Sequence, residues 1–502
     1  FDEADLTGLD GALGGRFVAL SNIVMVRLNA AAAQGRADPG QHAVRFAGEG
    51  YQSGVGAVIR AHGAHWITVR RNPAGGSFRA RYGYPVIAIG AGSSDVLFEG
   101  LDLEACGGRG YGNCLRTIDG DRVTIRGGSA SEAMGEVIAH YGGGPGCSSN
   151  NGCGRQLHGC SVEGVRIARG GRAFYDGGGV GLSLGDGIVL KNCEGCRAVG
   201  NVVTDTFTRG IRVNISGVKL QCTNAERPDP ASCDWMDGTG ATKRGRCDDG
   251  RCATDRCENT NAPCSSDGFV VDGNTISNAG HFQLLGSPGS PYPPPVAGTA
   301  DGGCIWVNVQ EGWNHATNGR VVNNVCRGAY HPARTEPIPG IKIQGIDGGP
   351  AAGSDILVAN NTVSGVNGHC LDASELTQPI TFVNNLFDAC AQAPGFDQPG
   401  AVLLPGTVEH RHGQNAYSRT PLAVRRRLAT IALGDVPAFE PTAVTEPAAF
   451  VSPTDLHLRC DAPQRGRGRS LVSVFSQDVD RDPRPTGDGA WDIGADQARC
   501  PP

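Results

Sequence analysis

The amino-acid sequence predicts an all-β fold: a single-stranded right-handed parallel β-helix, in which short strands stack coil upon coil. Two observations predict it. Asparagine-containing turns recur along the chain, and four short segments of alternating apolar and polar residues can be superimposed on one another. Such self-similarity is typical of a solenoid, because each coil buries its apolar side chains against its neighbours.

The repeated turn is a glycine or asparagine followed by an asparagine. Its copies are Gly200-Asn201, Gly273-Asn274, Asn323-Asn324, Asn360-Asn361 and Asn384-Asn385. Asparagine tolerates the left-handed backbone conformation and hydrogen-bonds nearby backbone, so it suits a tight bend between strands. Stacked asparagines can also bond to one another along a ladder. The turns therefore predict one corner of the coil.

The four superimposable segments are residues 211–214, 305–308, 341–344 and 371–374. Their first and third residues are apolar, and period-two alternation places these on the opposite face from the second and fourth. The predicted core ladder is Ile211, Ile305, Ile341 and Leu371. The first outward row is Arg212, Trp306, Lys342 and Asp372. The second outward row is Asn214, Asn308, Gln344 and Ser374.

Composition excludes several classes of protein. The 77 glycines and the 6% aromatic content argue against a helical or compact α/β protein. A net charge of −6 over 502 residues provides no basic surface for nucleic acid. No run of 18 or more apolar residues occurs, so we expect no membrane span.

Cysteine usage predicts the compartment. The chain has 19 cysteines, six of them between Cys222 and Cys264, which is typical of an oxidising environment. The odd number leaves at least one thiol unpaired or bridged to another chain. The first residue is Phe1 and not methionine, so we expect either that a leader has been removed or that the chain has been trimmed. We predict an extracellular or cell-surface protein.

The domain prediction follows from where the repeat is visible. Residues 1–80 form an N-terminal cap, and residues 81–410 form the β-helix. A cysteine-rich loop, residues 219–266, is inserted into the helix. Residues 411–502 form a C-terminal closing, anchor-like segment.

Four motifs near the C-terminus carry a family resemblance. They are residues 450–451 (FV), 455–458 (DLHL), 478–485 (DVDRDPRP) and 490–495 (AWDIGA). They resemble the closing segment of bacterial secreted right-handed parallel β-helix proteins of the pectin-lyase-like class, with a segment of the choice-of-anchor Q type. The resemblance implies secretion or surface anchoring. It also implies polysaccharide lyase-like activity for some members, although fold alone does not define activity.

The two outward rows suggest a site for a polysaccharide, because they combine cations, an aromatic platform and amides. β-Elimination on a uronate polymer needs a base for the C5 proton and a cation to neutralise the carboxylate. Some β-helix lyases use a lysine and arginine pair, which this resemblance would place at Lys342 as base and Arg212 as neutraliser. Asp372 would neighbour Lys342, and a salt bridge there would oppose deprotonation of the lysine. The predicted substrate-binding residues are Trp306, Asn214, Asn308, Gln344 and Ser374.

Three other functions are also compatible with these residues. An epimerase-like enzyme would use the same site. A glycoside hydrolase needs two carboxyl groups, for which Asp372 and Asp301 are candidates. A non-catalytic structural or adhesive protein could use the β-helix as a rod that self-associates or is anchored at the cell surface. An enzyme is expected to expose Lys342 and Trp306 in a cleft walled by residues 291–295 and 331–339, whereas a rod is expected to cover them.

Calcium is the one cofactor that the sequence suggests. Asp478, Asp480 and Asp482 alternate as the oxygen ligands of calcium loops do, although a turn that closes the helix would show the same pattern. Asp248 and Asp249 are a weaker candidate.

Other metal-binding patterns are incomplete. Cys193 and Cys196 lack further zinc ligands, so a disulfide or packed thiols are expected. His410 and His412 lack a third ligand and are predicted to lie on the surface. Glu136 and His140 are predicted to face outward from an earlier coil.

Overall fold

The computed structural model describes most of the chain between residues 59 and 500. The described ranges are 64–70, 85–90, 93–104, 113–142 except 119 and 134, 157–171, 185–215, 267–280, 302–309, 316–329, 337–345, 355–391, 400–426 except 407 and 421, 429–486 and 491–500, with Ile59 and Cys106. It also describes the backbone of further short strands outside these ranges.

Three stacked sheets run along the molecule, and consecutive coils supply neighbouring strands. Sheet 1 consists of Ala4–Asp5, Ile59–Ala61, Ile87–Ile89, Leu115–Ile118, Ile138–Tyr141, Ile188–Lys191, Arg209–Ile215, Gly303–Val309, Ile341–Gly345, Leu371–Asp372, Val402–Leu404, Val424–Arg426 and Ala429–Ile431. All its described pairings are parallel except the last.

Sheet 2 and sheet 3 flank the asparagine corner. Sheet 2 consists of Val18–Leu20, His65–Arg70, Ser94–Glu99, Asp121–Arg126, Ser161–Glu163, Arg197–Val199, Val270–Asp272, Arg320–Val322, Leu357–Ala359, Thr381–Val383 and Arg411–Gly413. Sheet 3 consists of Arg79–Arg81, Asp102–Glu104, Ser129–Ser131, Arg166–Ala168, Val202–Thr204, Thr275–Ser277, Val325–Arg327, Thr362–Ser364, Leu386–Asp388 and Ala416–Ser418. The predicted fold class, a parallel β-helix, is confirmed.

The predicted register of the four segments is the register of sheet 1. Ile211 pairs with Ile305, Ile305 with Ile341, and Ile341 with Leu371. All four side chains are fully buried in one core cluster that runs through the interior of the coils. Stacked Ile, Val and Leu side chains of this kind supply most of the hydrophobic stabilisation of a solenoid.

A ladder of buried asparagines connects the coils at the corner between sheets 2 and 3. Its members are Asn201, Asn274, Asn324, Asn361, Asn385 and Asn415. Each of the first five donates its backbone N–H and its Nδ2 to Oδ1 of the next, with all donor–acceptor distances between 2.9 and 3.1 Å. The carboxylate of Glu440 ends the ladder by accepting the backbone N–H of Asn415 at 2.7 Å.

The residue before each ladder asparagine has the left-handed backbone conformation. Asn323, Asn360 and Asn384 have φ values of 55°, 51° and 56°, which asparagine tolerates better than most residues. Their side chains face the C-terminal segment. Asn323 Nδ2 donates to Gln477 O at 2.9 Å, and Asn384 Nδ2 donates to Arg469 O at 2.8 Å. The segment therefore lies along this corner.

Apolar and ionic contacts hold the C-terminal segment in place. Trp491 is fully buried in a cluster with Val322 and Val383. Arg481 Nη1 lies 3.0 Å from Asp272 Oδ2, and Arg484 Nη2 donates to Asn323 Oδ1 at 2.9 Å. Within the segment, Phe450–Ser452 and Asp455–Leu458 form an antiparallel pair, and Leu433–Asp435 and Val436–Phe439 form short 3-10 and α-helices.

Stacked strands continue on both sides of the predicted range 81–410. Ile59–Ala61 and His65–Arg70 precede it, and Ala416–Ser418 and Val424–Arg426 follow it. The cysteine-rich insertion contains a separate antiparallel sheet of Lys219–Gln221, Arg251–Ala253, Thr242–Asp248 and Ser232–Met236. Leu157–His158 pairs with Cys193–Glu194, and Ser265–Asp267 pairs with His315–Thr317.

Disulfides support the predicted oxidising environment. The disulfides among the described residues are Cys106–Cys114, Cys193–Cys196, Cys304–Cys326, Cys370–Cys390 and Cys460–Cys500. Of the two arrangements expected for Cys193 and Cys196, a disulfide or packed thiols, the disulfide is present. Cys160 is a free, buried thiol, and burial raises its pKa to about 12. No helix in the described part of the chain is long and apolar enough to cross a membrane.

The predictions for His140 and His410 are wrong, whereas the side chain of His412 is 20% exposed. His140 does not face outward but is fully buried, with Nδ1 3.1 Å from Thr117 Oγ1. His410 is only 9% exposed, and its Nδ1 accepts the backbone N–H of Ile380 at 3.1 Å. The ring of His412 stacks on that of Phe439 with centroids 4.2 Å apart. In the observed strand register each of these rings packs against a neighbouring coil. This packing cannot be predicted from the alternation of residues within one strand.

Replacing a central rung of the asparagine ladder tests its contribution. In Asn324→Ala, the backbone N–H and Nδ2 of Asn274 lose their shared acceptor, and two buried donors remain unsatisfied. We expect a loss of about 3 kcal/mol in the free energy of unfolding, measured by denaturant titration. Thr430→Ala, on an exposed strand, is the control and should change stability by less than about 0.5 kcal/mol. Equal effects of the two substitutions would show that the ladder adds nothing.

Acidification should destabilise the fold through His140. Burial lowers the pKa of His140 from 6.5 to about 4, so the unfolded chain takes up the proton first as the pH falls. The stability present above pH 6.5 is therefore lost toward pH 4, by about 2 kcal/mol between about pH 7 and pH 5. Between about pH 7 and pH 5, the free energy of unfolding of the wild type should fall by about 2 kcal/mol more than that of His140→Leu, as measured by denaturant titration at each pH. An equal fall in both proteins would contradict the assignment.

Candidate carbohydrate site on sheet 1

The outward face of sheet 1 carries three rows of side chains rather than two. At the start of several strands, two consecutive residues point inward, as Cys304 and Ile305 do, and as Cys370 and Leu371 do. The residue before such a doublet therefore returns to the outward face. This corner row contains Glu136, Asp186, Arg209 and His369.

The two predicted outward rows are stacked as expected. Arg212, Trp306, Lys342 and Asp372 are neighbours on consecutive strands. Asn214, Asn308 and Gln344 are neighbours in the second row. Ser374 departs from the row, because the strand ends at Asp372; its hydroxyl donates to Asp372 Oδ1 at 2.7 Å. Earlier coils add Ala139 and Val189 to the first row and Tyr141 and Lys191 to the second.

Trp306 lies between two cations. The Arg209 guanidinium carbon is 3.9 Å from the centroid of the indole ring, and Lys342 Nζ is 5.0 Å from it. Both distances are within the range of cation–π attraction. The indole lies outside the core cluster but is only 3% exposed. The expected open aromatic platform is therefore covered. The expected cleft walls at 291–295 and 331–336 lie outside the described residues.

One buried carboxylate holds two guanidinium groups at this site. Asp186 is completely buried and accepts a hydrogen bond from the hydroxyl of Thr208. Arg209 Nη1 lies 3.3 Å from Asp186 Oδ1, and Arg212 Nη1 lies 3.3 Å from Asp186 Oδ2. Two arginines against one aspartate leave positive charge next to Trp306.

Glu136 is a buried acid beside this cluster. Burial raises the pKa of its carboxyl, and the negative charge of Asp186 raises it further, while Arg212 opposes the shift. Asn113 Nδ2 donates to Glu136 Oε2 at 3.3 Å. Burial and the neighbouring Glu136 raise the pKa of Tyr141 well above its usual value of 10, so this phenol stays protonated.

Lys342 makes two ion pairs. Its Nζ lies 3.4 Å from Glu375 Oε1 and 4.0 Å from Asp372 Oδ2. Gln344 Nε2 donates to Glu375 Oε2 at 2.6 Å. The Lys342 and Asp372 side chains are 18% and 13% exposed, so this end of the first row is more accessible than Trp306. The expected salt bridge between Lys342 and Asp372 is present.

Several buried polar atoms on this face have no hydrogen-bond partner among the described residues. They include Trp306 Nε1, Asn308 Oδ1 and Gln344 Oε1. Each buried polar atom without a partner lowers the stability of the fold by about 1–3 kcal/mol, so a group of such atoms on one face requires an explanation. Atoms of a bound ligand would satisfy them.

The predicted calcium ligands lie elsewhere, in the C-terminal segment. Asp478 is fully buried, and its Oδ1 accepts the backbone N–H groups of Asp480 at 3.0 Å and Asp482 at 2.8 Å. Asp482 also forms an ion pair with Arg499. This geometry favours the alternative turn, and calcium binding by the three aspartates stays a prediction.

Sequence reasoning missed Asp186 and Arg209. Period-two alternation places both residues in the core, because each lies two positions before a buried isoleucine. Because two consecutive residues point inward at the strand start, the alternation shifts by one residue, and Asp186 and Arg209 lie on the outward face instead. Pairs such as Cys370-Leu371 show the doublet in the sequence, but after Asp186 and Arg209 the doublets are Gly187-Ile188 and Gly210-Ile211, where glycine hides it.

Comparison with known proteins gives distant structural likeness. No protein-family model matches the chain, and no curated protein matches it by sequence. Solved structures that resemble it include the pectate lyase Pel9A, which has 13% sequence identity and a TM-score of 0.41. That alignment covers 86% of this chain and 88% of Pel9A. An alginate lyase from Paenibacillus sp. str. FPU-7 has 14% identity, 89% and 99% coverage and a TM-score of 0.35.

A third structure, PfbA, a surface adhesin of Streptococcus pneumoniae, has 8% identity to this chain. The alignment covers 82% of this chain and 91% of PfbA, with a TM-score of 0.38. The strand registers of this chain itself define the parallel β-helix.

The buried charge cluster yields a matched pair of substitutions. Asp186→Asn leaves the buried guanidinium of Arg209 without its charged partner, and we expect a loss of about 3–5 kcal/mol in the free energy of unfolding. Asp95→Asn removes the partner of Arg122, whose side chain is 55% exposed, and should cost at most about 1 kcal/mol. Thermal and denaturant unfolding measure both. Equal losses would show that Asp186 does not anchor the arginines.

Proposed function

We propose that this chain is an extracellular carbohydrate-active enzyme that binds a uronate-containing polysaccharide along the outward face of sheet 1 and cleaves it by β-elimination. The observation that carries the proposal is the clustering of Arg209, Arg212 and Lys342 around Trp306. Cations beside an indole suit a chain of acidic sugars, because the ring contacts the apolar face of a sugar while the cations attract its carboxylate.

Elimination depends on stabilising negative charge that develops in the transition state. When the C5 proton leaves, charge spreads onto the uronate carboxylate, and preorganised cations in a site of low dielectric stabilise it strongly. Asp186 fixes the arginine side chains before substrate binds. Arg212 and Lys342, which lie two strands apart in the first outward row, are the proposed neutralising cations.

The ion pairs of Lys342 revise its role in the proposal. A base must be uncharged to accept a proton, whereas Asp372 and Glu375 stabilise the lysine ammonium. Asp372 carries the proton-accepting role instead, because Ser374 orients its carboxylate through two hydrogen bonds. An epimerase would use the same proton abstraction and differ only in returning a proton to the opposite face.

The unpartnered atoms support the binding part of the proposal. A sugar hydroxyl both donates and accepts, so it can accept from Trp306 Nε1 or donate to Asn308 Oδ1 and Gln344 Oε1. Asn214 extends the same row by one coil. Glycoside hydrolysis receives less support, because it needs a second carboxyl group besides Asp372, and the candidate Asp301 lies outside the described residues.

A non-catalytic surface protein is the second candidate. The burial of Trp306, Ala139 and Val189 on an outward face favours it, because a rod is expected to cover such residues. Extracellular or cell-surface localisation is common to both candidates, and the disulfides together with the resemblance of the C-terminal segment support it. The choice-of-anchor Q assignment and surface anchoring belong to this proposal.

Substitution of Lys342 tests the catalytic proposal. With a panel of uronate polymers, wild-type protein should release unsaturated product, followed by its ultraviolet absorbance. Lys342→Ala should lower kcat/KM by about 100-fold or more, since a charge-stabilising group is lost. Lys342→Arg keeps the positive charge, so its kcat/KM should stay within about tenfold of the wild-type value if the lysine neutralises the substrate carboxylate. Loss of activity in Lys342→Arg would instead support the lysine as base.

Arg126→Ala is the matched control, since it removes an exposed cation from the outward face of sheet 2. Its kcat/KM should equal that of wild type. Unchanged activity in Lys342→Ala would exclude the proposed site. Binding of a polymer by wild type without any unsaturated product would favour the adhesive alternative.

A further inference from the structure

The C-terminal segment forms a cavity against sheet 3. The strand Asp455–Leu458 lies beside Thr275–Ser277 and Val325–Arg327 of sheet 3. Together with Asp480 and Asp496 these elements line a cavity of about 300 Å³. The proposed lyase chemistry does not use this cavity, and of the three predicted calcium ligands only Asp480 lines it.

An imidazole and two carboxylates converge at the cavity wall. His457 Nε2 lies 2.7 Å from Asp480 Oδ2. One nitrogen of His457 and one carboxylate oxygen each from Asp480 and Asp496 all lie within 4.8 Å of one another. Asp496 is only 7% exposed, and one of its oxygens accepts the backbone N–H of Leu458 at 2.9 Å. The imidazole is 44% exposed and can adjust its position.

The other nitrogen of His457 has its own carboxylate partner. Nδ1 forms a hydrogen bond with Asp455 Oδ1. Histidines that bind metals through one nitrogen almost always donate the other N–H to a carboxylate or carbonyl, which fixes the ring and its tautomer. His457 therefore directs Nε2 toward the carboxylates of Asp480 and Asp496, while the carboxylate of Asp455 binds Nδ1.

The charge at this place is predominantly negative. Asp455, Asp480 and Asp496 surround one imidazole, and the nearby arginines have other partners. Arg327 Nη1 donates to Thr454 O at 3.1 Å, Arg499 pairs with Asp482, and Arg484 donates to the carbonyls of Gly494 and Ala495. A divalent cation would compensate the carboxylates better than a single imidazolium does.

We propose that His457, Asp480 and Asp496 bind a divalent transition-metal ion, with Asp455 orienting the imidazole. One nitrogen and two carboxylate oxygens suit zinc or manganese better than calcium, which takes oxygen ligands. The site differs from the Asp478 and Asp482 turn, whose carboxylates already accept backbone hydrogen bonds or pair with Arg499. The ion joins the strand Asp455–Leu458, the turn at Asp480 and the irregular chain at Asp496, and so stabilises the docked C-terminal segment.

Metal titration of the complete chain tests the proposal. Chelator-treated protein is titrated with zinc chloride and, separately, manganese chloride by calorimetry, and the unfolding temperature is recorded with and without metal. We expect one site and a metal-dependent rise in unfolding temperature. His457→Ala should abolish both effects. Asp455→Asn should weaken binding about 10- to 100-fold, because it removes only the group that orients the ring.

Two matched controls separate this site from others. His158→Ala removes a comparably exposed histidine paired with Glu194, and Asp461→Asn removes an exposed aspartate near the segment. Both should bind metal as wild type does. Unfolding temperatures in chelator establish that the His457 and Asp455 variants are folded. Absence of binding in wild type, unchanged binding in His457→Ala, or an anomalous-scattering peak away from His457 would each overturn the proposal. None of these outcomes depends on activity at sheet 1.

Discussion

The asparagine ladder fixes the coils relative to one another, and the remaining features of the molecule depend on that alignment. Each rung uses the backbone N–H and Nδ2 of one asparagine to bind the next Oδ1, so a shift of one residue would break several buried hydrogen bonds together. The buried inward face of each sheet specifies the same register, because a slip of one residue would turn the apolar residues outward. Once the ladder sets the corner, Ile211, Ile305 and Ile341 stack in the core and the outward rows align.

The same turn unit also positions the C-terminal segment. In each asparagine doublet the second residue joins the ladder, while the first takes the left-handed conformation and turns its amide outward. Asn323, Asn360 and Asn384 thereby form a second, outer set that binds backbone carbonyls of the C-terminal segment. One local motif thus supports both the interior of the solenoid and the surface on which His457, Asp480 and Asp496 come together.

The sequence predicted those features that follow from simple periodicity. Alternation predicted the core ladder and the neighbours Arg212, Trp306, Lys342 and Asp372, and the structure places them in that register. Alternation failed at the strand starts, where an inward doublet brings Asp186 and Arg209 to the outward face. Neither the burial of Trp306 nor the contact between His457 and Asp480 follows from periodicity, because both depend on packing between distant parts of the chain.

The structure of a complex with a uronate oligosaccharide tests the central claim most directly, namely that the outward face of sheet 1 is a track for an acidic sugar chain. The account predicts that the oligosaccharide lies along the coil axis on sheet 1, with one carboxylate beside Lys342 and Arg212. It also predicts sugar hydroxyls within hydrogen-bond distance of Asn308 and Gln344. An oligosaccharide bound on another face, or carboxylates that avoid both cations, would contradict it.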